Sequence, residues 1–482
     1  MTREAADNLA ASLARLAERS GWWDRPAFLE GGQVLTHGQV HEGAARVAGA
    51  LRRAGAGPGE RVLIALPDSR WFVWSFLGAV RLGALAVPVN PGLGGDDHAF
   101  LAADTEPAVV VCGEELSARF RRRAAVLVPG EALVGEAAPA HPVGGEDAAY
   151  AQYTSGTTGR PKAAVHRHAD PGRYHEAMAV GALHMTAGDV VVSVSKAYFA
   201  YGLGNTVFFP LLSGASAVLW ADKPTPDGLE ALVRAHRPSL LFAVPSFYAL
   251  LVARADPTPF ASLRAAVSAG ETLTPALLER AERFLGCPVL DGLGSTEVGQ
   301  TFVSNTLERR RPGSVGVVLP GYEVKVQDGT LWVKGSSVMK EYWRQPEATA
   351  EVMEGGYLRT GDRARLDGEG FVWHEGRNDD MEMVGGIKVS PIEVEAVLGS
   401  HPGVGEVAVA AVPDELGATR LRAFVVPVPG RPPPDGLADE LVELARSRLA
   451  PFKVPRSVTL VERLPRTPTG KLQRFALRAG WP

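Results

Sequence analysis

Short apolar runs alternate with amphipathic stretches along most of the chain. RVLIALPD (61–68) reads as a buried strand, Ser69 to Leu82 as a helix, and ALAVPVN (84–90) as a second strand. Such alternation predicts α/β layers built on parallel sheets. One unit is especially legible. Leu263 to Ser268 is a strand pattern ending at Ala269-Gly270-Glu271. Thr274 then offers an N-cap, with Pro275 at the first helical position. Leu277, Leu278, Ala281, Phe284 and Leu285 form an apolar stripe at helical spacing, closed by Gly286. Val289 and Leu290 begin the next strand, which runs into DGLGSTE (291–297). This is a β-α-β unit, so both strands end on one sheet edge, where such sheets bind ligands.

Beyond Arg377 the pattern changes to that of a compact α+β domain. Ser390-Pro391-Ile392-Glu393 reads as a capping box followed by a helix. GEVAVAAVP (405–413), RAFVVPV (422–428) and SVTLVERLP (457–465) read as strands, with a helix near Leu437–Leu449. The chain closes in a polar loop, RTPTGK (466–471). The expected division is residues 1–377 as a large N-terminal domain and 378–482 as a small C-terminal one.

Composition narrows the function classes. At roughly 150 residues per domain, 482 residues predict about three units. The formal net charge of −4 carries no electrostatic footprint for nucleic acid or an anionic membrane. Cys112 and Cys287 cannot make a disulfide framework; they allow one bridge but read better as two free buried thiols in a reducing compartment. The N-terminal stretch lacks a continuous apolar segment, and the longest apolar run, Ser239 to Ala253, is too short to span a membrane. A soluble cytoplasmic protein is expected.

The densest chemistry lies in YTSGTTGRPK (153–162). Thr154, Ser155, Thr157 and Thr158 surround Gly156 and Gly159, and Arg160 and Lys162 follow. Glycines let backbone N–H groups approach an anion, hydroxyls donate further bonds, and the cations balance charge. The spacing is not that of a Walker loop. By itself the segment reads equally as a Ser/Thr/Gly surface linker.

That loop is followed in order by GSTE (294–297), YLRTGD (357–362), GRNDD (376–380) and PTGK (468–471). The set resembles the adenylate-forming superfamily of acyl-CoA synthetases, carrier-loading adenylation domains and luciferases. The resemblance implies a large N-terminal domain of α/β sheet subdomains plus a β-barrel-like part, with a small mobile α+β C-terminal domain. It implies ATP, Mg²⁺ and a thiol acceptor such as coenzyme A. Residues 153–162 then resemble the segment that holds the β,γ-phosphates. Gly270 and Glu271 resemble part of the adenine wall, with Asp291, Gly292 and Leu293 beside them. Many relatives carry an aromatic residue where Leu293 stands. Thr296 resembles the residue that contacts the α-phosphate and Glu297 the Mg²⁺-binding glutamate. Asp362 resembles the carboxylate that takes the ribose hydroxyls, with Arg377 nearby. Asp379 resembles the hinge, and Gly385 and Gly386 the glycines lining the pantetheine tunnel. Lys471 resembles the cation set against the substrate carboxylate and α-phosphate. Taken singly, Glu297 reads as a helix-start carboxylate, TGD and the glycine pair as turns, and Lys471 as a solvated side chain.

A narrower resemblance, to the benzoate–CoA ligase branch, rests on SKAYFAYGLGN (195–205), GSTEVGQTFVSN (294–305), LPGYEVKV (319–326), MVGGIKVSPIEVE (383–395) and TPTGKLQRFALR (467–478). It implies an aromatic acid held in a flat slot by Ala200, Tyr201 and Gly202, with Phe199 at a gating position. Gln300 stands where that branch often has His, and its amide suits a ring hydroxyl or amino group. Plain core packing beneath the sheet is the other reading of these residues. Two rival functions remain at this point: loading of an aryl acid onto a carrier-protein phosphopantetheine, and a non-catalytic nucleotide- or acyl-binding protein. Oligomeric state does not follow from the sequence, although homodimers are common in the branch it resembles.

Overall fold

The computed structural model describes residues 8–154, 161–378, 380–384, 387–413, 419–428, 436–466 and 472–481. Two large sheets dominate. In the first, Ala148–Tyr153, Leu85–Pro88, Arg61–Ala65, Val109–Cys112 and Ala125–Leu127 lie parallel in that order. Ala163–Arg167 joins Ala148–Tyr153 antiparallel, and the short strand Glu341–Tyr342 joins Ala163–Arg167. In the second, Pro26–Glu30, Ser216–Val218, Val190–Ser193, Leu240–Ala243, Ala265–Ala269 and Val289–Gly294 run parallel.

The anticipated β-α-β unit forms as read. Thr274 Oγ1 accepts from Leu277 N at 3.3 Å, the helix spans Pro275–Leu285, and Gly286 ends it in the left-handed region at φ +71°. Ser69 caps the helix Arg70–Arg81 in the same way. These ends are local, because a cap needs only a hydroxyl and the N–H three residues on.

The β-barrel-like part is built from antiparallel strands. Thr301–Ser304, Gly316–Val318, Phe371–Arg377, Tyr357–Leu366, Thr330–Gly335 and Tyr322–Gln327 pair antiparallel in that order. They extend the second sheet outward from Val289–Gly294, and its pairing order is open at Tyr322–Gln327 and Gln33–Thr36. The ladder is continuous because Val289–Gly294 accepts a parallel neighbour on one edge and an antiparallel one on the other.

Aromatic side chains lock the two sheets together. Tyr150 of the first sheet packs on Phe76 at 5.7 Å between centroids, Phe76 on Phe208 at 5.7 Å, and Phe209 on Phe242 of the second sheet at 6.3 Å. All five are fully buried. Such rings each remove roughly 150–250 Å² from water, so they dominate this junction.

After Arg377 the chain builds separate small sheets. Glu382–Val384 pairs with Ile387–Val389, and Val404–Pro413, Thr419–Pro427 and Ser457–Leu460 form a three-stranded sheet under the helices Pro391–Leu398 and Leu437–Arg448. The capping box expected at Ser390 does not form. Ser390 Oγ instead donates to the Glu375 carbonyl at 2.6 Å, and the Glu393 carboxylate takes Lys453. A strand carbonyl within reach outcompetes the helix N–H for that hydroxyl.

Candidate active site

The antiparallel strands Ala148–Tyr153 and Ala163–Arg167 flank the Ser/Thr/Gly-rich motif. Thr154 N donates to Lys162 O at 2.8 Å, closing the pair. Ser155, Gly156, Thr157, Thr158, Gly159 and Arg160 lie outside the described residues. Lys162 Nζ sits 5.2 Å from the centre of the Tyr342 ring. The hydroxyl of that same tyrosine donates to Glu297 Oε1 at 2.9 Å. Burial and the neighbouring carboxylate push the Tyr342 phenol far above its ordinary pKa, so it remains a donor. Tyr342 reaches this place because its strand pairs Tyr342 with Ala164, one turn of the ladder from Lys162.

Arg377 is also close enough to act electrostatically on Tyr342. Arg377 Nη1 lies 3.6 Å from Asp362 Oδ1, and His374 Nε2 lies 3.3 Å from the same oxygen. Asp362 is directly opposite Arg377 in the antiparallel pair. Burial alone would raise the Asp362 carboxyl, but His374, Arg377 and Thr360 together hold it below its ordinary pKa. It therefore stays an anion, the form that accepts hydroxyl protons. Positions 162, 297, 342, 362 and 377 thus form one linked cluster of charged and phenolic side chains.

The turn carrying Thr296 and Glu297 is braced from beneath. His166 Nε2 lies 2.8 Å from the Thr296 carbonyl, and its Nδ1 lies 3.4 Å from Asp170 Oδ2. Tyr150 stacks on the imidazole at 5.0 Å. Met339 N donates to the Glu297 carbonyl. Gly299 follows at φ +85°, where a Cβ would lie 3.2 Å from both His166 and Tyr174, so the turn needs glycine.

The adenine-wall candidates divide. Gly270, at φ +90°, turns the chain at the end of Ala265–Ala269. Glu271 is then fixed by Ser246, whose N–H donates to Oε2 at 2.9 Å and whose hydroxyl donates to Oε1 at 3.0 Å. Gly292 leaves no room for a side chain, since a Cβ would sit 3.0 Å from the Val303 carbonyl. Leu293 packs against the apolar cluster of the antiparallel region. Asp291 groups with Tyr201 and Tyr248, whose phenols it perturbs. Burial drives the Asp291 carboxyl well above its ordinary pKa, despite Ser268 and the Gly292 N–H.

The acid-slot candidates share one helical segment. Lys196 anchors its approach by donating to the carbonyls of Trp220 and Asp222, while Asp68 Oδ1 accepts from Ala197 N at 2.9 Å. Phe199 is half-buried, edge-on to Tyr198 at 4.7 Å, and Ala200 is buried. Gly202 is set by the backbone, because a Cβ there would lie 2.0 Å from the Lys196 carbonyl. Tyr201 Oη donates to Val267 O at 3.3 Å.

Gln300 is bonded within the fold. Its Nε2 donates to Tyr201 O and Asn205 Oδ1, each at 3.2 Å, and its Oε1 accepts from Thr301 N and Oγ1 at 2.9 and 3.0 Å. Two donors and two acceptor positions are all engaged, which exhausts an amide. Gln300 therefore holds the segment of Tyr201 and Asn205 to the strand Thr301–Ser304.

Asp379, Gly385, Gly386 and Lys471 lie outside the described residues. Around the glycine pair, Val384 stands opposite Ile387. Before Lys471, Arg466 bridges to Leu472 and its guanidinium meets Glu271. Sequence reasoning missed Tyr342, His374, His166, Asn205 and Arg466. Each acts through strand register or a long-range contact, and none carries a local spacing that marks it.

The donor set fits Mg²⁺. Among the described residues there is no group of three or more His, Cys, Asp or Glu that would hold a metal by itself. Glu297 offers a single hard carboxylate with one oxygen tethered by Tyr342. That suits an ion that takes one or two carboxylates and fills its shell with water and phosphate oxygens.

Comparison with known proteins agrees with this layout. The AMP-binding enzyme family matches residues 13–343, and the AMP-binding enzyme C-terminal domain matches 393–471. The p-hydroxybenzoic acid–AMP ligase FadD22 of Mycobacterium tuberculosis strain H37Rv is 45% identical over 98% of this chain and 68% of that relative. The benzoate–CoA ligase of Thauera aromatica is 36% identical over 98% of this chain and 95% of the relative. The crystal structure of the anthranilate CoA ligase AuaEII in complex with anthranoyl-AMP superposes with a TM-score of 0.92 at 31% identity, covering 97% of this chain and 96% of that one.

Proposed function

The chain belongs to the AMP-binding enzymes, and on that premise we propose that it is an AMP-forming acid–thiol ligase for benzoate or a substituted benzoate, with coenzyme A as acceptor. ATP and coenzyme A are its co-substrates and Mg²⁺ its metal. The observation that carries the reading is the convergence of Lys162, Tyr342, Glu297, Arg377 and Asp362 in one cluster, with cations and carboxylates in alternation. The aromatic acid is supported by the benzoate, p-hydroxybenzoate and anthranilate ligases among the relatives.

A carboxylate is a poor electrophile, so activation comes first. A carboxylate oxygen attacks the α-phosphorus of ATP and pyrophosphate leaves, giving an aryl-adenylate. The thiolate of coenzyme A then attacks its carbonyl carbon, AMP leaves, and the thioester forms. Lys162 and the phosphate loop offset the charge that builds on the phosphates in the first step. Mg²⁺, when bound at Glu297, supplies further positive charge to those oxygens. Tyr342 keeps the Glu297 carboxylate aimed, and anionic Asp362 accepts the ribose hydroxyls. Thr296 faces the α-phosphate. Lys471 meets the carboxylate and α-phosphate in the first step and withdraws in the second. Asp379 is the hinge for that exchange, between domains 1–377 and 378–482, and Gly385 and Gly386 then line the thiol tunnel.

One observation favours a second acceptor. FadD22, a relative of 45% identity, is named an acid–AMP ligase, and 68% of its length is matched here. A carrier-protein phosphopantetheine is therefore the competing thiol. The cytoplasm supplies ATP and coenzyme A and keeps the buried thiols Cys112 and Cys287 reduced. Among the described residues no helix is long and apolar enough to cross a membrane. A homodimer is the assembly common in this branch.

Pyrophosphate release with ATP, Mg²⁺ and a panel of benzoates tests the first step. AMP and thioester yield with coenzyme A against a phosphopantetheinylated carrier tests the acceptor. Pyrophosphate release with none of the acids would refute the reading.

A further inference from the structure

The stem of the terminal loop carries a cation that bridges two parts of the molecule. Arg466 Nη1 donates to Glu271 Oε1 at 2.9 Å, and Arg466 Nη2 donates to Glu406 Oε2 at 2.6 Å. Glu271 follows the strand Ala265–Ala269 of the large second sheet. Glu406 lies in Val404–Pro413 of the small three-stranded sheet. One fork of a single guanidinium therefore holds each sheet. The three side chains are 27%, 17% and 24% exposed, so the pair is shielded from water more than a surface bridge is.

Both ends of the bridge are prepared in advance. Ser246 donates to each Glu271 oxygen, which fixes that carboxylate before Arg466 arrives. On the other side, Arg466 pairs antiparallel with Leu472, and Gln473 N donates to Pro465 O at 2.9 Å. These contacts knot the stem of the segment that carries Lys471. Burial alone would lower the Arg466 pKa, and Glu271 and Glu406 more than offset it, so the charge is permanent.

We infer that Arg466 is a positioning residue that clamps the small three-stranded sheet, through Glu406, to Glu271 of the large domain during adenylate formation and must release Glu271 before thioester formation. The inference rests on the two-step reading above. It adds that the small domain is held in its first arrangement by an ion pair located on the adenine-wall carboxylate. Glu406 lies on the same small sheet side as Arg466, so the Glu271 arm is the one that breaks when the domain turns. An Arg side chain suits this, because its planar fork serves two carboxylates at once.

The two half-reactions are measured separately on Arg466→Ala, Arg466→Lys and the wild type. The pyrophosphate burst reports the first step, and thioester formation from supplied aryl-adenylate reports the second. Arg466→Ala is expected to slow the burst ten- to hundredfold, with the KM for ATP within twofold of wild type and the second step undiminished. Arg466→Lys, which keeps one arm, should fall between. Raising salt from about 0.05 to 0.5 M should slow the wild-type burst and leave that of Arg466→Ala unchanged. Limited trypsin digestion supplies a readout that does not depend on turnover, and cleavage between residues 377 and 390 should accelerate severalfold in Arg466→Ala. Equal slowing of both half-reactions, or an unaltered burst, would overturn the clamp, as would unchanged digestion. A wild type that makes no aryl-adenylate would refute the function itself, and the digestion result would still decide the clamp.

Discussion

Replacing Tyr342 by Phe removes one hydroxyl and little else. The ring stays under Lys162 at 5.2 Å, and the strand pairing with Ala164 is untouched. What disappears is the donation to Glu297 Oε1 at 2.9 Å. Hydrogen bonds to charged groups contribute roughly 1.5–3 kcal/mol, and Glu297 is half-exposed, so the lower end applies. About 1.4 kcal/mol is one power of ten in rate. Tyr342→Phe should therefore slow adenylate formation about tenfold and raise the Mg²⁺ concentration needed for half-maximal rate. The assay is continuous pyrophosphate release titrated with Mg²⁺ at saturating ATP and acid. Thermal stability should change little, since no buried donor loses its acceptor. If Tyr342→Phe gives a wild-type Mg²⁺ curve while Glu297→Gln abolishes the reaction, the tyrosine does not aim that carboxylate and the reasoning fails.

Three further outcomes are expected. Lys471→Ala should abolish adenylate formation yet largely spare thioester formation from supplied aryl-adenylate, and equal loss of both would contradict its role. Gln300→Leu strips partners from Asn205, Tyr201 and Thr301, so it should destabilise by about 2–4 kcal/mol and lower kcat/KM for benzoate and hydroxybenzoates alike. A loss confined to hydroxylated acids would indicate a direct contact. His175 is buried and its pKa is pushed down to about 4, so it is neutral in the fold. The unfolded imidazole protonates first, near 6.5, so this contribution is intact above that pH and disappears as pH falls towards 4. Roughly 2.5 pH units at about 1.4 kcal/mol each make about 3.5 kcal/mol. Urea denaturation at pH 7 and 4.5 should show a shallower acid loss in His175→Gln, and an identical loss would count against it.

Local signals were readable without coordinates. The strand ending at Ala269, the Thr274 cap and the Gly286 stop need only neighbours within a few residues, and each formed as expected. The ordered motifs pointed to the family, because five of them at these separations leave little room for another arrangement. Contacts that depend on register were not readable. Tyr342 meets Glu297 only because its two-residue strand joins Ala163–Arg167. His374 meets Asp362 only through the pairing that ends at Arg377. Gln300 looked available for substrate, and tertiary packing used all of its amide. Ser390 looked like a cap, and a carbonyl from a distant strand took its hydroxyl. Sequence by itself decides what a residue is able to offer and how its near neighbours fold. Only the tertiary structure decides which partner claims that offer, because buried polar groups bond to whatever the packing brings within three ångströms.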